Sequence, residues 1–299
     1  MSERASELGG WRALYPFQSH WLYLNGYRIH YLDEGEGPVV LLLHGNPTWS
    51  FMWRDMVVAL RGAYRVIVPD HVGCGLSDRP AAGTYSYRLA DRADDVLRLL
   101  DGLKIEQAAL VGHDWGGAIG MGAAARSPSR FSCFVLMNTA AFVLRRCPLR
   151  IRLCHLPGVG RLAVQGLNAF ARAALRVCVE RPERITPAVR DGYLAPYDSW
   201  RNREAIYRFI RDIPLRPSHP THAALAAIEA ALPGFRDRPV CLVWGMRDWV
   251  FTGEFLDRFI QAWPHAEVHR LADAGHYVLE DSGEHVIPLV KAFLEKNKR

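Results

Sequence analysis

GHDWGG, at residues 112–117, lies between a predicted buried strand at residues 108–111 and a predicted helix of small residues at 115–125. Its pattern is glycine, any residue, a nucleophile, any residue, glycine. In such a strand-to-helix turn the glycines allow close backbone approach, and the central side chain stands above the sheet edge. The central residue is Asp114, so the motif predicts a carboxylate nucleophile. The alternative is that Asp114 only caps the helix that begins at Trp115.

The chain around this motif alternates between strands and helices. Apolar runs that are typical of buried parallel strands occur at residues 39–43, 64–68, 133–137 and 240–244. The alternation predicts the α/β class, with a mostly parallel, eight-stranded sheet and helices on both faces. We expect the first two strands, residues 20–24 and 28–32, to form a hairpin around Asn25-Gly26.

One long stretch interrupts this alternation. From residue 140 to residue 215 the sequence shows helical patterns and Pro/Gly breaks, without a convincing strand. We therefore predict a helical cap domain, residues 140–216, inserted after the sixth strand. The core domain is then formed by residues 1–139 and 217–299. The alternative is that residues 140–215 belong to the main helical layer of the core.

The composition excludes several classes of protein. The 299 residues are 49% hydrophobic and 23% charged, which is the balance of a globular chain and not of a disordered one. The apolar runs have strand length, far below the roughly 18 residues of a membrane span. The polar N-terminus lacks the apolar segment of a signal peptide. Six scattered cysteines without a CxxC pair predict reduced thiols. We therefore expect a cytoplasmic protein.

Positive charge is concentrated in the predicted cap. Residues 145–216 contain 15 Arg, no Lys and 6 acidic residues, a net of +9, whereas the whole chain has a formal net charge of +6. No nucleic-acid-binding motif accompanies this charge, so we expect a solvated helical face and no nucleic-acid partner. The alternative is a docking surface for a protein or an anionic membrane. Such binding would weaken as salt rises.

Two further polar residues follow predicted strands later in the chain. Asp248 comes after the strand at residues 240–244, and His276 comes after a predicted strand at residues 266–271. Nucleophile, acid and histidine in this order are typical of the α/β-hydrolase fold. Asp248 alone is explained as a turn residue, and His276 alone as a packed loop histidine. The three together predict a catalytic triad in which the acid orients the histidine.

A loop at residues 44–47, HGNP, follows the strand at residues 39–43. A loop in this position usually supplies one backbone N–H of an oxyanion hole, and the backbone N–H of Trp115 is the second. The side chains of Asn46 and Trp115 then lie beside Asp114. Two neutral donors at one point bind an anion or a developing negative charge. A plain Asn-Pro turn is the alternative.

Five segments spread over nearly the whole chain are similar to the haloalkane dehalogenase family of α/β-hydrolases: HGNPTWSFMWR (44–54), PDHVGCGLSDRP (69–80), GHDWGG (112–117), GMRD (245–248) and AGHYVLED (274–281). The resemblance implies that Asp114 is the nucleophile, His276 the base and Asp248 the triad acid. It also implies that Asn46 and Trp115 form the halide-binding pair.

Two further segments, NTAAF (138–142) and YLAPYDSWRNR (193–203), resemble one branch of this family more narrowly. That branch also contains the β-lactone decarboxylases of bacterial long-chain olefin biosynthesis. Some dehalogenases carry their triad acid, a glutamate, after the sixth strand. Residues 138–141 offer no carboxylate there, which favours Asp248.

A carboxylate nucleophile suits attack at a saturated carbon, because Asp114 is already ionised near neutral pH. It displaces a leaving group and becomes an alkyl ester, which water activated by His276 then hydrolyses. We therefore expect a hydrolase with a small hydrophobic substrate, most simply a haloalkane dehalogenase that forms an alcohol and a halide. This chemistry needs no cofactor, and no ligand spacing predicts a metal site.

Three other functions are compatible with the sequence. With the same residues, Asp114 can open a β-lactone at its alkyl carbon, and loss of CO2 then yields a long-chain cis-olefin. An epoxide hydrolase also uses an aspartate elbow and needs two cap tyrosines. Tyr193, Tyr197 and Tyr207 are candidates for these, but Asn46 argues against this function. An inactive scaffold or binding protein is the non-enzyme alternative, and the intact triad counts against it.

Overall fold

The computed structural model describes residues 10–81, 83–143, 147–156 and 158–298. Its strands are β1 (His20–Leu24), β2 (Tyr27–Glu34), β3 (Val39–Leu43), β4 (Arg65–Pro69), β5 (Ala108–Asp114), β6 (Phe131–Thr139), β7 (Val240–Gly245) and β8 (Glu267–Leu271). They form one sheet in the order β1-β2-β4-β3-β5-β6-β7-β8. β2 is antiparallel to both neighbours, and all later neighbours are parallel. The predicted eight-stranded, mostly parallel sheet is confirmed.

The hairpin between β1 and β2 has the predicted turn. Leu24 pairs with Tyr27, which leaves two residues in the loop. The φ angles of Asn25 and Gly26 are +51° and +88°. Both lie in the left-handed region, as the common two-residue hairpin turn requires.

The helices are numbered in chain order: α1 (Arg54–Leu60), α2 (Leu89–Gly102), α3 (Trp115–Arg126), α4 (Leu149–Cys154), α5 (Val159–Arg161), α6 (Ala169–Val177), α7 (Pro187–Leu194), α8 (Glu204–Arg211), α9 (Pro220–Ala231), α10 (Gly253–Ala262) and α11 (Val278–Lys296). A π-helix at Leu162–Gly166 continues α5. Short 3₁₀ turns occur at Gly10–Leu14, Ser50–Trp53, Pro128–Arg130, Pro182–Arg184, Arg201–Arg203 and Leu232–Phe235.

The central strands are buried because helices cover both faces of the sheet. Successive side chains of a strand point to opposite faces. In β3, Val40 and Leu42 join one apolar cluster with α1 and α11, whereas Leu41 and Leu43 join a second cluster with α2, α3, α9 and α10. This two-sided burial accounts for the continuous apolar runs that marked these strands in the sequence.

A helical region follows β6, as predicted. Between β6 and β7, α4 to α8 follow one another, and the residues that the structure describes there form no strand. α9 returns to the core, where a Cβ atom added at Gly122 of α3 would lie 3.3 Å from Ile228. The domain bounds at residues 140 and 216 stay a prediction. Residues 144–146 and 157 of the predicted cap lie outside the described residues.

Within the described part of the chain, no helix is long and apolar enough to cross a membrane. None of the six cysteines, all of which are described, forms a disulfide, in agreement with their scattered spacing. The first nine residues, on which the expected lack of a signal peptide partly rests, lie outside the described residues.

Candidate active site

The segment between β5 and α3 forms the predicted strand-to-helix turn, called the elbow, with Asp114 at its centre. Asp114 has φ +53° and ψ −129°, a conformation that residues with a Cβ atom rarely adopt. A Cβ atom at Gly116 would lie 2.0 Å from the carbonyl oxygen of Leu43. The Thr139 hydroxyl donates a hydrogen bond to the Asp114 carbonyl over 2.5 Å. The elbow is therefore held by close backbone contacts that only glycine allows at position 116.

The Asp114 carboxylate is buried and receives two backbone donors. The N–H of Asn46 donates to Oδ1 over 2.7 Å, and the N–H of Trp115 also donates to this carboxylate. Oδ2 lies 3.6 Å from Nε2 of His276. Burial raises the pKa of Asp114 above its ordinary value, although His276 and the backbone donors act in the opposite direction. The two predicted oxyanion donors thus both face Asp114.

His276 is oriented by Asp248. Nδ1 of His276 lies 2.8 Å from Oδ2 of Asp248. Burial alone would lower the pKa of His276, but the Asp248 carboxylate raises it above its ordinary value. Burial alone would raise the pKa of Asp248, but His276 and two backbone N–H groups bring it below its ordinary value. Asp248 is therefore ionised and accepts from Nδ1–H, so that Nε2 faces Asp114.

The structure adds a residue that sequence reasoning missed. Asn138, at the end of β6, donates to Oδ2 of Asp248 over 3.0 Å. Its amide oxygen accepts from the N–H of Gly245 over 2.8 Å. Asn138 thereby holds the loop that carries Asp248. In the sequence, residues 138–142 carry a resemblance to one branch of the family and offer no carboxylate, but neither feature predicts this role of Asn138. The feature that could have indicated this role is the position of Asn138, an amide side chain directly after the predicted strand at residues 133–137.

Asn46 and Trp115 line the same cavity as Asp114. The Asn46 amide nitrogen donates to the carbonyl oxygen of Ile206 in α8 over 3.3 Å, so one of its two N–H groups already has a partner. The buried amide oxygen of Asn46 has none. The indole ring of Trp115 packs on Phe209, with 5.5 Å between ring centroids. Contacts from α8 thus position both side chains.

The cavity above Asp114 has a volume of about 290 Å³. Its floor is polar and contains Asn46, Asp114, Trp115 and His276. Its roof is mostly apolar and comes from the predicted cap. The apolar residues of the roof are Pro148, Ile151, Ala163, Val164, Ala169, Phe170, Ala173, Ala174, Val177, Ile210, Ile213 and Pro214. One charged residue of the predicted cap, Arg150 of α4, also lines the cavity. A ligand in this cavity therefore meets the polar floor, this arginine and otherwise mostly apolar side chains, which suits a small hydrophobic substrate.

The three tyrosines considered for an epoxide hydrolase do not line this cavity. The Tyr193 hydroxyl donates to Glu280 over 2.6 Å, and the Tyr197 hydroxyl donates to the carbonyl oxygen of Thr48 over 2.9 Å. Tyr207 packs against the apolar core. The structure therefore gives the epoxide hydrolase alternative no support.

Among the described residues, one group of side chains has metal-ligating potential. Cys241, Glu267 and His269, on β7 and β8, place their ligand atoms within 4.8 Å of one another. None of the three lines the cavity. This group is separate from the candidate active site.

Comparison with known proteins agrees with this geometry. A family model described as the alpha/beta hydrolase fold matches residues 38–158. A cis-3-alkyl-4-alkyloxetan-2-one decarboxylase from Shewanella oneidensis is 44% identical over 289 residues, covering 95% of this chain and 91% of that one. Haloalkane dehalogenase 2 of Mycobacterium tuberculosis is 33% identical over 278 residues, covering 91% and 93%. The crystal structure of a haloalkane dehalogenase from Bradyrhizobium elkani has a TM-score of 0.84 and 28% identity, covering 94% and 98%.

The fold and the site define an enzyme of the α/β-hydrolase class. More narrowly, the chain belongs to the haloalkane dehalogenase family of α/β-hydrolases, which also includes the oxetan-2-one decarboxylases. An oxetan-2-one is a four-membered lactone, so these relatives represent the β-lactone branch that the sequence resembles. The family resemblance is confirmed. The relatives to which this chain is similar include both dehalogenases and decarboxylases.

Proposed function

We propose that this protein is a β-lactone decarboxylase, which converts a cis-3,4-dialkyl oxetan-2-one into a cis-olefin and CO2. One observation carries the proposal: a buried carboxylate, Asp114, faces a cavity whose roof is mostly apolar. A neutral lactone with two alkyl chains matches that cavity, because only its ester group needs a polar wall. The relative named for this reaction shares more of its sequence with this chain than the dehalogenase does, which also supports the proposal.

In the first step, a carboxylate oxygen of Asp114 attacks the ring carbon that is bonded to the lactone oxygen. That carbon–oxygen bond breaks, and its electron pair stays on the oxygen. The product is an alkyl ester of Asp114 whose neighbouring carbon carries a free carboxylate. We assign the side-chain N–H groups of Asn46 and Trp115 to this new anion, because both side chains line the cavity beside Asp114.

In the second step, the bond between the substrate carbon and its carboxylate breaks, and CO2 leaves. The released electron pair forms the double bond, and the ester carbon–oxygen bond breaks, which restores the Asp114 carboxylate. The two steps consume neither water nor a proton. We assign His276 an electrostatic role, since its Nε2 lies 3.6 Å from Asp114 and a positive imidazolium favours a departing carboxylate. Asp248 keeps the imidazolium in place.

Haloalkane dehalogenase activity is the second candidate. Asn46 and Trp115 favour it, because two neutral side-chain donors beside Asp114 also suit a halide ion. In that reaction His276 acts as the base that activates water, and the water hydrolyses the alkyl ester. The two functions therefore differ in whether water takes part after Asp114 has attacked.

In the test, the purified protein is incubated separately with a lactone and with haloalkanes. The lactone is a synthetic cis-3,4-dihexyl oxetan-2-one, and the haloalkanes are 1-iodohexane and 1,2-dibromoethane. We expect cis-olefin from the lactone by gas chromatography and at most a trace of halide from the haloalkanes. The Asp114→Asn variant, which keeps the side-chain shape, should abolish olefin formation. Rapid halide release without olefin would instead establish the dehalogenase.

The His276→Phe variant separates the two mechanisms further. A dehalogenase with this change should accumulate an alkyl ester of Asp114 from 1-iodohexane, visible in the intact-protein mass, because its water step needs a base. A decarboxylase with this change should still release olefin from the lactone, more slowly. A folded variant that forms neither the adduct nor olefin would contradict both mechanisms through an alkyl ester.

We also infer that the enzyme works in the cytoplasm, since its six described cysteines form no disulfide and disulfides are rare in that compartment. Fractionation of cells that produce the protein tests this. Recovery from the periplasm would contradict it.

A further inference from the structure

Helix α4 is apolar on two opposite sides. Ile151 and Cys154 line the active-site cavity, whereas Leu149 and Leu153 are 69% and 52% exposed. A helix turns by about 100° per residue, which places these two pairs on opposite faces. One helix therefore separates the cavity from an exposed apolar surface.

This exposed surface continues beyond α4. The cap surface consists of Leu149, Leu153, Leu156, Val159, Leu162 and Leu167, each at least 47% exposed. Six large apolar side chains within one short segment exceed the scattered apolar residues of an ordinary surface, and such patches mark interaction sites.

Positive charge accompanies the cap surface. Residues 115–179 contain 9 Arg and no Asp, Glu or Lys. Among them, Arg150, Arg152 and Arg161 are exposed beside the leucines. Exposed leucines alternating with arginines are typical of helices that lie at the surface of an anionic bilayer.

A cationic cavity adjoins the cap surface. Its volume is about 550 Å³, and its lining includes Arg88, Arg208, Arg211, Arg216, His155 and His219. His155 directly precedes Leu156 of the cap surface, and its backbone carbonyl accepts from Arg211 over 2.8 Å. The buried Nε2 atom of His155 has no partner.

A single carboxylate, Asp212, lies in the lining of this cavity. It already accepts hydrogen bonds from Arg88, the backbone of Leu89 and Thr221. Arg208 pairs with Glu204, which lies outside the lining, over 2.6 Å. Among the described residues, no carboxylate pairs with Arg211 or Arg216. A phosphate group, with its negative oxygens, is the chemical class that fits such a cluster.

We propose that the cap surface docks on an anionic phospholipid bilayer, with its leucines at the acyl boundary and a lipid phosphate in the cationic cavity. Only α4 then stands between the bilayer and the active-site cavity. A lipophilic substrate can thus move between the two without crossing water. This last consequence rests on the proposed function, whereas the docking itself does not.

The test is co-sedimentation of the full-length protein with vesicles in the absence of substrate. Vesicles of phosphatidylglycerol and phosphatidylcholine should bind the protein, pure phosphatidylcholine vesicles should not, and salt should weaken binding. The Leu149→Ser/Leu153→Ser variant should reduce the partition coefficient about tenfold. The Arg211→Gln/Arg216→Gln variant should reduce it by about one order of magnitude.

There are two matched controls, both in the core domain. Val58→Ser changes a 52% exposed apolar residue of α1, and Arg236→Gln changes an exposed arginine on the surface of that domain. Both should bind vesicles like the unmodified protein. Circular dichroism confirms that each variant is folded.

Four results would overturn the proposal or its assignment of a lipid. The first is no binding to the anionic vesicles, and the second is equal binding by all variants. The third is self-association in sedimentation velocity that the leucine variant abolishes, because the cap surface would then join two copies of the chain. Binding of inorganic phosphate without binding of vesicles would also overturn the assignment of a lipid. Since no substrate is present, failure here leaves the olefin assay unaffected.

Discussion

The floor and the roof of the active-site cavity are built in opposite ways. On the floor, Asp114, His276 and Asp248 are joined by short polar contacts that fix their positions. On the roof, α4, α6 and the residues around them offer mostly apolar side chains, with Arg150 as the one charged residue of the roof lining. The difference assigns the reaction to the floor and the choice of substrate to the roof. Changes to the floor should therefore affect the rate for every substrate, and changes to the roof should affect substrates selectively.

The largest effect is expected from the floor. Asp114→Asn removes the nucleophile but keeps the side-chain shape, so kcat should fall by at least about 10⁴-fold with every substrate. The variant should also melt at a higher temperature, because burial raises the pKa of Asp114 and its ionised form costs folding free energy near neutral pH. Olefin assays and thermal unfolding measure both effects. A variant that retains a tenth of the activity would contradict the assignment of the nucleophile.

The next effect concerns a contact between the core domain and the predicted cap, outside the cavity lining. Arg54 and Glu280 are buried and share two hydrogen bonds of 2.7 and 2.8 Å, and Tyr193 of α7 donates to Glu280. Glu280→Ala leaves the buried Arg54 charge with only the exposed Asp55 carboxylate, 3.6 Å away, as a counterion, and should cost about 3–5 kcal/mol of unfolding free energy. Tyr193→Phe should cost only about 1 kcal/mol. Urea unfolding measures both losses of unfolding free energy. Equal losses in the two variants would show that the unpaired charge of Arg54 does not cause the destabilisation.

A change in the roof should be smaller and selective. Ala173 of α6 lines the cavity. Ala173→Phe fills part of its volume, so kcat/KM for a long-chain lactone should fall about tenfold, while that for a short-chain lactone stays nearly constant. The matched control is Ala227→Phe, at an exposed position of α9. Equal losses for both chain lengths would mean that the roof does not select the substrate.

The pH dependence of olefin formation includes the smallest expected effect, which lies on its alkaline side. Activity should disappear on acidification at a pH above the ordinary range of an aspartate, because burial raises the pKa of Asp114 and only its ionised form attacks. On the alkaline side, activity should decline a few-fold as His276, whose pKa is also raised, loses its proton. Ester hydrolysis would show the reverse alkaline trend, since it needs neutral His276. The alkaline side of the pH profile therefore distinguishes water-free breakdown of the ester from its hydrolysis.

The floor could be predicted from the sequence to a large extent, because its residues lie in short loops directly after strands. GHDWGG identified Asp114, and the strand ends identified Asp248, His276 and Asn46. The contacts of Asn138 could not be predicted in this way. Its partner Asp248 is 110 residues away, and a pairing at that distance depends on which strands become neighbours in the sheet.

The roof was predictable only as a helical insertion. Its attachment depends on contacts such as that between Tyr193 and Glu280, which are 87 residues apart and leave no periodic pattern. The last helix, α11, spans Val278–Lys296, whereas the sequence alone predicts a helix only over residues 284–295. Ser282 has non-helical angles, and Pro288 lies inside the helix. Both interrupt the pattern that marks a helix in a sequence.

The central claim is that Asp114 opens a lactone and is restored without water. The most direct measurement is turnover of cis-3,4-dihexyl oxetan-2-one in water enriched in ¹⁸O, followed by mass analysis of the Asp114 peptide and the products. The account predicts olefin and CO2 in equal amounts and no ¹⁸O in Asp114. A β-hydroxy acid as the product, with ¹⁸O in the Asp114 carboxylate, would show that water attacks the ester and would contradict the account.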